Sequence, residues 1–276
     1  MTSTDSLASL RTYPAFLESL LLEAAEMALS FPRGLSARVK GADPNQVVTD
    51  ADLAIGQKII SRIRERFPHD SVIDEEWGMV KGTSAITWVI DPIDGTSNFA
   101  AGSPLFGVMV GVLAHGRPVA GGVSLPALAE TYIAAAGHGA YVNGNRLALK
   151  AGGDLAEQLV AYGMDFHPSE TALDCRTMES IAARCRGIRM SNSIFDCMMV
   201  AKGVYAASMH RRNRIWDCVA PHVIIQEAGG TFSTMEGDVP DYRGPLTRTT
   251  QVYSMLACAP SFHRTVTDIT RAQLAT

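Results

Sequence analysis

The sequence predicts an α/β protein with α+β character in its first half, and three observations carry that reading. Two apolar stripes at helical spacing occupy the N-terminal quarter. From Phe106 to Ile133, short apolar segments are broken by Gly and Pro, as in an antiparallel meander. Beyond residue 150, β-like and helix-like segments alternate, the pattern of an α/β layer.

Taken in order, residues 5–31 read as a helix that stops before Pro32. Within it, Glu18, Glu23 and Glu26 recur at helical spacing, so FLESLLLEAAEMALSF is an amphipathic helix and not an export signal. A polar loop, RGLSARVKGADPNQ, follows. Residues 50–66 form the second expected helix, with Ile55, Ile59, Ile60 and Ile63 on one stripe and Pro68 as its stop. SVID and ITWVI read as short strands, each running into acids. YVNGNRL holds the Asn-Gly pair of a tight hairpin turn. KAGGDLAE, around residues 150–155, marks a loose boundary between two subdomains, 1–150 and 151–276. Past it, QLVAYG is an expected strand, 170–186 a helix, GIRM a strand, 193–202 a helix and VYAAS a strand. WDCVAPHVIIQEAGG then reads as a helix ending at a glycine pair, TFSTM as a strand, and VYSMLACAP precedes a last helix.

The chain has 276 residues, 47% of them apolar, enough to bury a full core. Its net charge of −4, with acids and bases mixed, argues against a nucleic-acid partner, which would want a basic surplus. A small anionic substrate needs only a local positive site and stays open. The cysteines are odd in number (Cys175, Cys185, Cys197, Cys218, Cys258) and form no CxxC, so free thiols in a reducing cytoplasm are expected. No apolar run reaches membrane-spanning length, so no membrane is expected.

Acidic clusters punctuate the chain: Asp50 and Asp52; Asp74, Glu75 and Glu76; Asp91 and Asp94; and Asp217. In SVIDEEW and WVIDPIDGTSNF the acids follow a β-like run, and strand ends are where open α/β sheets hold ligands. Pro92 cannot continue a ladder and Gly95 permits a sharp turn, so the backbone is expected to swing away just after Asp91. That would gather Asp91, Asp94 and the Ile93 carbonyl into one small volume. Crowded carboxylates repel, and a hard divalent cation such as Mg²⁺ relieves the repulsion. Spacing alone leaves bland alternatives equally open. Asp91 and Asp94 could be turn-forming caps, Asp52 a first-turn helix acid, and Asp217 the N-cap of a helix beginning near Val219.

The combination of motifs resembles the inositol monophosphatase family of Mg-dependent, lithium-sensitive phosphomonoesterases, related to the fructose bisphosphatases. DPIDGTSNF (Asp91–Phe99) and WDCVAPHVIIQEAGG (Trp216–Gly230) match its two signatures. DEE (Asp74–Glu76), VVTDAD (Val47–Asp52) and GHGAYVNG (Gly137–Gly144) match shorter elements in the family's order. The resemblance implies a layered αβαβα sandwich of the sugar-phosphatase type, a homodimer, and two or three Mg²⁺ per active site. It also implies roles. Glu75 binds metal and a metal-held water, Asp91 bridges metals, the Ile93 carbonyl completes one site, and Asp94 and Asp217 hold the second metal. Thr96 orients the attacking water with Asp52 as its partner, and the Gly95 and Thr96 amides hold the phosphate. Lys40 resembles an upstream family lysine at a spacing one residue too long.

The pattern departs where substrate is read. Inositol-preferring members carry Gly-Thr-Ala-Ala where this chain has SNSI (Ser191–Ile194), and an acid where it has His210. Ser191, Asn192 and Ser193 could donate to hydroxyls or cap the next helix. Arg211, Arg212 and Arg214 could meet a second anionic group, or form a solvated basic loop or dimer contact. The expected function is Mg²⁺-dependent hydrolysis of a small polar phosphate monoester, inositol- or sugar-phosphate-like, by in-line attack of water. The alternatives are a sugar bisphosphate, 3′-phosphoadenosine 5′-phosphate or histidinol phosphate as substrate, or a relative that binds a metabolite without catalysis. Glu227 reads as structural or substrate-proximal. His69, His115, His138, His167 and His222 lack metal-ligand spacing and read as surface or structural. Walker A, GxGxxG and GxSxG patterns are missing, which weakens kinase, dehydrogenase and hydrolase-elbow readings.

Overall fold

The computed structural model describes residues 3–32, 37–39, 47–149, 152–164 and 167–274. Lys40, most of the polar loop around it and residues 150 and 151 lie outside the described residues. Two helices open the chain, α1 (Ser3–Ser30) and α2 (Asp50–Arg66). Between them β1 (Arg38–Val39) pairs antiparallel with β2 (Val47–Val48). Among the described residues, no helix is long and apolar enough to cross a membrane.

An eight-stranded sheet follows: β3 (Ser71–Asp74), β4 (Gly78–Val80), β5 (Ile86–Asp94), β6 (Gly107–Ala114), β7 (Arg117–Leu125), β8 (Glu130–Ala135), β9 (Gly139–Val142) and β10 (Asn145–Arg146). Its spatial order is β10-β9-β8-β7-β6-β5-β3-β4. The stretch from β5 to β10 is an antiparallel meander, and Asn143 and Gly144 both take positive φ at the last hairpin, as an Asn-Gly turn requires. β3 runs parallel to β5, so their acid-bearing carboxyl ends lie side by side. The five-stranded sheet holds β11 (Leu159–Gly163), β12 (Gly187–Arg189), β13 (Ala207–Asn213), β14 (Thr231–Ser233) and β15 (Tyr253–Cys258) in the order β12-β11-β13-β15-β14. The remaining helices are α3 (Thr96–Ala100), α4 (Thr171–Ala182), α5 (Ile194–Ala201), α6 (Ile215–Glu227) and α7 (Pro260–Leu274).

Period-two alternation sorts the strands' side chains into layers. Val108, Val110 and Val112 of β6 face α1 and α2, together with Trp88 and Ile90 of β5. Met109 and Leu113 face the other way, into a core shared with α5, α6 and residues of the smaller sheet. The far side of the smaller sheet packs under α4 and α7, with Val160, Met209 and Leu256 meeting Ile181, Phe262 and Val266. The order of layers is thus helix, sheet, helix, sheet, helix. Trp88 anchors the outer core, fully buried with ring contacts to Tyr13, Phe16 and Phe67, while its indole N–H donates to Asp70.

The middle helix α6 sits unusually near the large sheet. A Cβ at Gly121 would stand 2.6 Å from the Ala220 carbonyl oxygen. Its cross-strand partner Gly111 faces the neighbouring Val219 in the same way. Two glycines side by side therefore let α6 carry Asp217 up to the end of β5. α6 also buries His222, stacked on Phe232 with its Nδ1 3.1 Å from the Tyr242 hydroxyl. Burial lowers the imidazole pKa to about 4. The unfolded chain therefore binds the extra proton first as pH falls below about 6.5, and stability drops with pH over that window. The unfolding free energy of the wild type relative to His222→Gln is expected to fall by about 2 kcal/mol between pH 7.5 and pH 5. Urea titrations at both pH values check this, and a pH-independent difference contradicts it.

Three expected elements shift. β5 does not leave the sheet after Asp91. It continues to Asp94 through a bulge between those residues, because a bulge absorbs the N–H that Pro92 lacks. The strand placed at VYAAS begins later and runs through Asn213, so His210–Asn213 belong to β13 and not to a loop. α6 starts at Ile215 and not near Val219, which puts Asp217 at its third position.

Candidate active site

The bulge explains the spacing of the two aspartates. In a regular strand, residues three apart point to opposite faces. One extra residue restores the face, so Asp91 and Asp94 both turn towards α5 and α6 while Ile93 packs among the α1–α2 core residues. One carboxylate oxygen each from Asp91, Asp94 and Asp217 lies within 4.8 Å of the others. Glu75, just past β3, lines the same cleft, of about 500 Å³. Its aim is set by Asp74, whose Oδ1 accepts the Glu76 and Trp77 amides at 2.8 Å each.

The electrostatics are those of packed acids out of water. Burial, then the charges of Glu75 and Asp94, push the Asp91 carboxyl well above the carboxylate range. Asp217 rises for the same reasons. Asp91 Oδ1 is buried with no hydrogen-bond partner among the described residues. A buried, unpartnered carboxylate oxygen facing two more carboxylates is costly unless a cation shares it. The donor set is all oxygen, which suits a hard divalent ion.

Both helix-borne acids cap a helix with one oxygen and turn the other side of the carboxylate to the cleft residues; Asp217 does so from the third helical position and not as the N-cap. Asp52 is the third residue of α2. Its Oδ2 accepts the Thr49 amide at 2.8 Å, closing a capping box. Its Oδ1 accepts the Thr96 hydroxyl at 3.2 Å. Burial raises the Asp52 pKa against the opposing Thr49 bonds. Asp217 likewise caps α6, its Oδ2 accepting the Arg214 amide at 2.6 Å. Thr96 opens the short helix α3, and its hydroxyl also lies 2.9 Å from the Ile93 carbonyl. Gly95 before it has φ +76°, a left-handed turn that a side chain would strain, and a Cβ there would stand 2.9 Å from Ser193 Cβ. Asp94 Oδ2 accepts the Ile194 amide, tying the sheet end to α5.

Of the expected substrate contacts, Gly95, Thr96, Asn192, Ser193, His210 and Arg212 line the cleft. Ser191 does not. Its amide donates to Asp196 Oδ2 and its carbonyl accepts from Asn98, so it serves the loop's own shape. Ser193 is the N-cap of α5, and Asn192, at φ +51°, bridges the Met164 backbone in both directions. Arg211 turns away from the cleft altogether. It is buried against Asp174 at 2.7 Å, and the Tyr162 hydroxyl donates to the same carboxylate oxygen. His167, read as surface or structural, lines the cleft, and Asp196 and Asn98 were missed. The Asp three residues into a helix after Ser193 was a legible capping signal; His167 left none. Glu227 is structural: its carboxylate accepts the Gly137 and Gly139 amides at 2.8 Å each.

A layered αβαβα fold with a carboxylate cluster at the paired ends of β3 and β5 defines a sugar-phosphatase-type protein. The Inositol monophosphatase family profile matches residues 12–273. The chain is 30% identical to Inositol-1-monophosphatase of Bacillus subtilis (strain 168) over 245 residues, 88% of this chain and 89% of that one. It is 30% identical to Inositol-1-monophosphatase ImpA of Mycolicibacterium smegmatis over 271 residues, 94% of each. The solved structure of an IMPase from Thermotoga maritima superposes with a TM-score of 0.82 at 25% identity, covering 93% of this chain and 96% of that one. The chain belongs to the inositol monophosphatase family and is a phosphoric monoester hydrolase.

Proposed function

We propose that the chain hydrolyses a small polar phosphate monoester with Mg²⁺, by direct in-line attack of water and without a phosphoenzyme. The observation that supports this most is the convergence of Asp91, Asp94 and Asp217 within 4.8 Å around the unpartnered Asp91 Oδ1. In this reading Glu75, Asp91, the Ile93 carbonyl, Asp94 and Asp217 are the residues that hold Mg²⁺, two or three ions in all. Bound there, Mg²⁺ would supply charge neutralisation for the phosphoryl oxygens and acidify water.

The chain's own residues do the positioning. One hydroxyl proton serves one acceptor at a time, so Thr96 donates either to Ile93 or to Asp52. With the Ile93 carbonyl committed elsewhere, the proton goes to Asp52, and a Thr96 lone pair is left to accept from water. Glu75 takes the same water's second proton. The water oxygen bonds to phosphorus as the ester P–O bond breaks, and the leaving alkoxide takes a proton from solvent while Glu75 returns its own to solvent, so that inorganic phosphate and an alcohol are released. The Gly95 and Thr96 amides hold the phosphoryl oxygens through this exchange. Residues 1–150 and 151–276 act as two subdomains, the second contributing Asp217 and the wall formed by β13.

All four expected acidic ligands are present, which favours turnover over a relative that only binds. Phosphate release from inositol, sugar, bisphosphate and histidinol phosphates is expected with Mg²⁺, to be lost on chelation and regained on Mg²⁺ addition. A properly folded chain that releases phosphate from none of them sinks the reading.

A further inference from the structure

Resting on the phosphatase reading of this cleft, we propose that it selects a phosphate ester bearing a second anionic group, phosphate or carboxylate, read by Arg212 with His210 and His167. The run MHRRNR loses its ambiguity once it is placed on a strand. The register of β13 against β15 shifts between His210 and Asn213, and in this segment Arg211 goes into the far core and pairs with Asp174 there, while His210 and Arg212 line the cleft. The reading of these residues as a solvated loop therefore fails for both faces.

Arg212 is held at this wall, not left to wave in solvent. Its Nη1 donates to Glu170 Oε2 at 3.1 Å, beside the start of α4. Glu170 is its sole acceptor among the described residues, which leaves the other N–H groups of the guanidinium for a ligand. His167, three residues before Glu170, lines the same cleft, and Arg214 lines it with its Nη1 donating to the Thr250 carbonyl. Two arginines and two histidines thus line the cleft that also holds the carboxylate cluster. A ligand that puts one phosphoryl group at the acids can meet Arg212 with a second group in the same cleft. A neutral hydroxyl there uses a guanidinium poorly, whereas an anionic oxygen pair matches its fork. The companion residue Asn192, with its amide spent on the Met164 backbone, offers little further to a polyol.

Matched substrate pairs test this with the full chain and Mg²⁺. Fructose 1-phosphate against fructose 1,6-bisphosphate reads a second phosphate, and glucose 6-phosphate against 6-phosphogluconate reads a carboxylate. The doubly anionic member of at least one pair is expected to have a kcat/KM about tenfold higher or more. Arg212→Gln is expected to collapse that ratio mainly through KM, and Arg212→Lys to keep part of it, with thermal melts confirming that both variants fold. The pair that shows the preference names the anion. Ratios near one in both pairs for a wild type that does hydrolyse them, or ratios untouched by Arg212→Gln, overturn the inference while leaving the phosphatase reading in place. A wild type that hydrolyses no ester overturns the phosphatase reading instead.

Discussion

Asp91→Asn is expected to abolish Mg²⁺-dependent phosphate release, by about 10³-fold or more, while the protein stays folded. Asparagine keeps the shape of the side chain and removes its charge. Without a cation, that charge is a burden, because Asp91 is buried among Glu75, Asp94 and Asp217. The variant should therefore melt no lower than the wild type in chelator. The two should part when Mg²⁺ is added. At a hundred times its Kd, a ligand that binds only the folded state adds about 2.7 kcal/mol of stability. The wild type should show a rise in Tm of that origin and the variant little or none. A folded variant that keeps substantial Mg²⁺-dependent turnover, or an equal Mg²⁺-induced shift, removes Asp91 from the metal site.

Thr96→Ala is expected to lower kcat by about 10²-fold with KM changed only a few-fold. In the proposed mechanism the hydroxyl bonded to Asp52 acts on water, and water is positioned for the transition state, so substrate affinity has little stake in it. Thr96→Ser keeps the hydroxyl and should recover most of the rate. A loss confined to KM, or a serine variant as impaired as the alanine one, contradicts the assignment. Because Asp52 also caps α2 through its other oxygen, Asp52→Ala is a poorer probe: it mixes a catalytic loss with a frayed helix.

Several features are legible in the amino-acid sequence. The helix 50–66 matched its observed bounds because its isoleucine stripe and Pro68 are local signals. The Asn143-Gly144 hairpin was legible because only a few residues tolerate positive φ at both turn positions. The metal-ligating candidates were legible through spacing and resemblance together, neither of which requires knowing what packs on what. Other features had no local signature. His167 is hidden because nothing near it in the chain records that it lines the cleft with β13 and the acids. The continuation of β5 past Pro92 was misread because proline usually ends a ladder, and only pairing with β6 on both sides of the bulge sustains it here.

The sequence by itself determined which residue types stand at strand ends and helix starts, and hence the α/β class and the acidic clusters, because propensity, periodicity and capping act over a few residues; the layered arrangement was implied by the family resemblance. The tertiary structure decided which of those residues meet. Gly111 and Gly121 admit α6 so that Asp217 joins Asp91 and Asp94. The register of β13 sends Arg211 to Asp174 and Arg212 to the cleft. Such choices follow from long-range packing, where one residue of strand register reverses every side chain and no local pattern records the outcome.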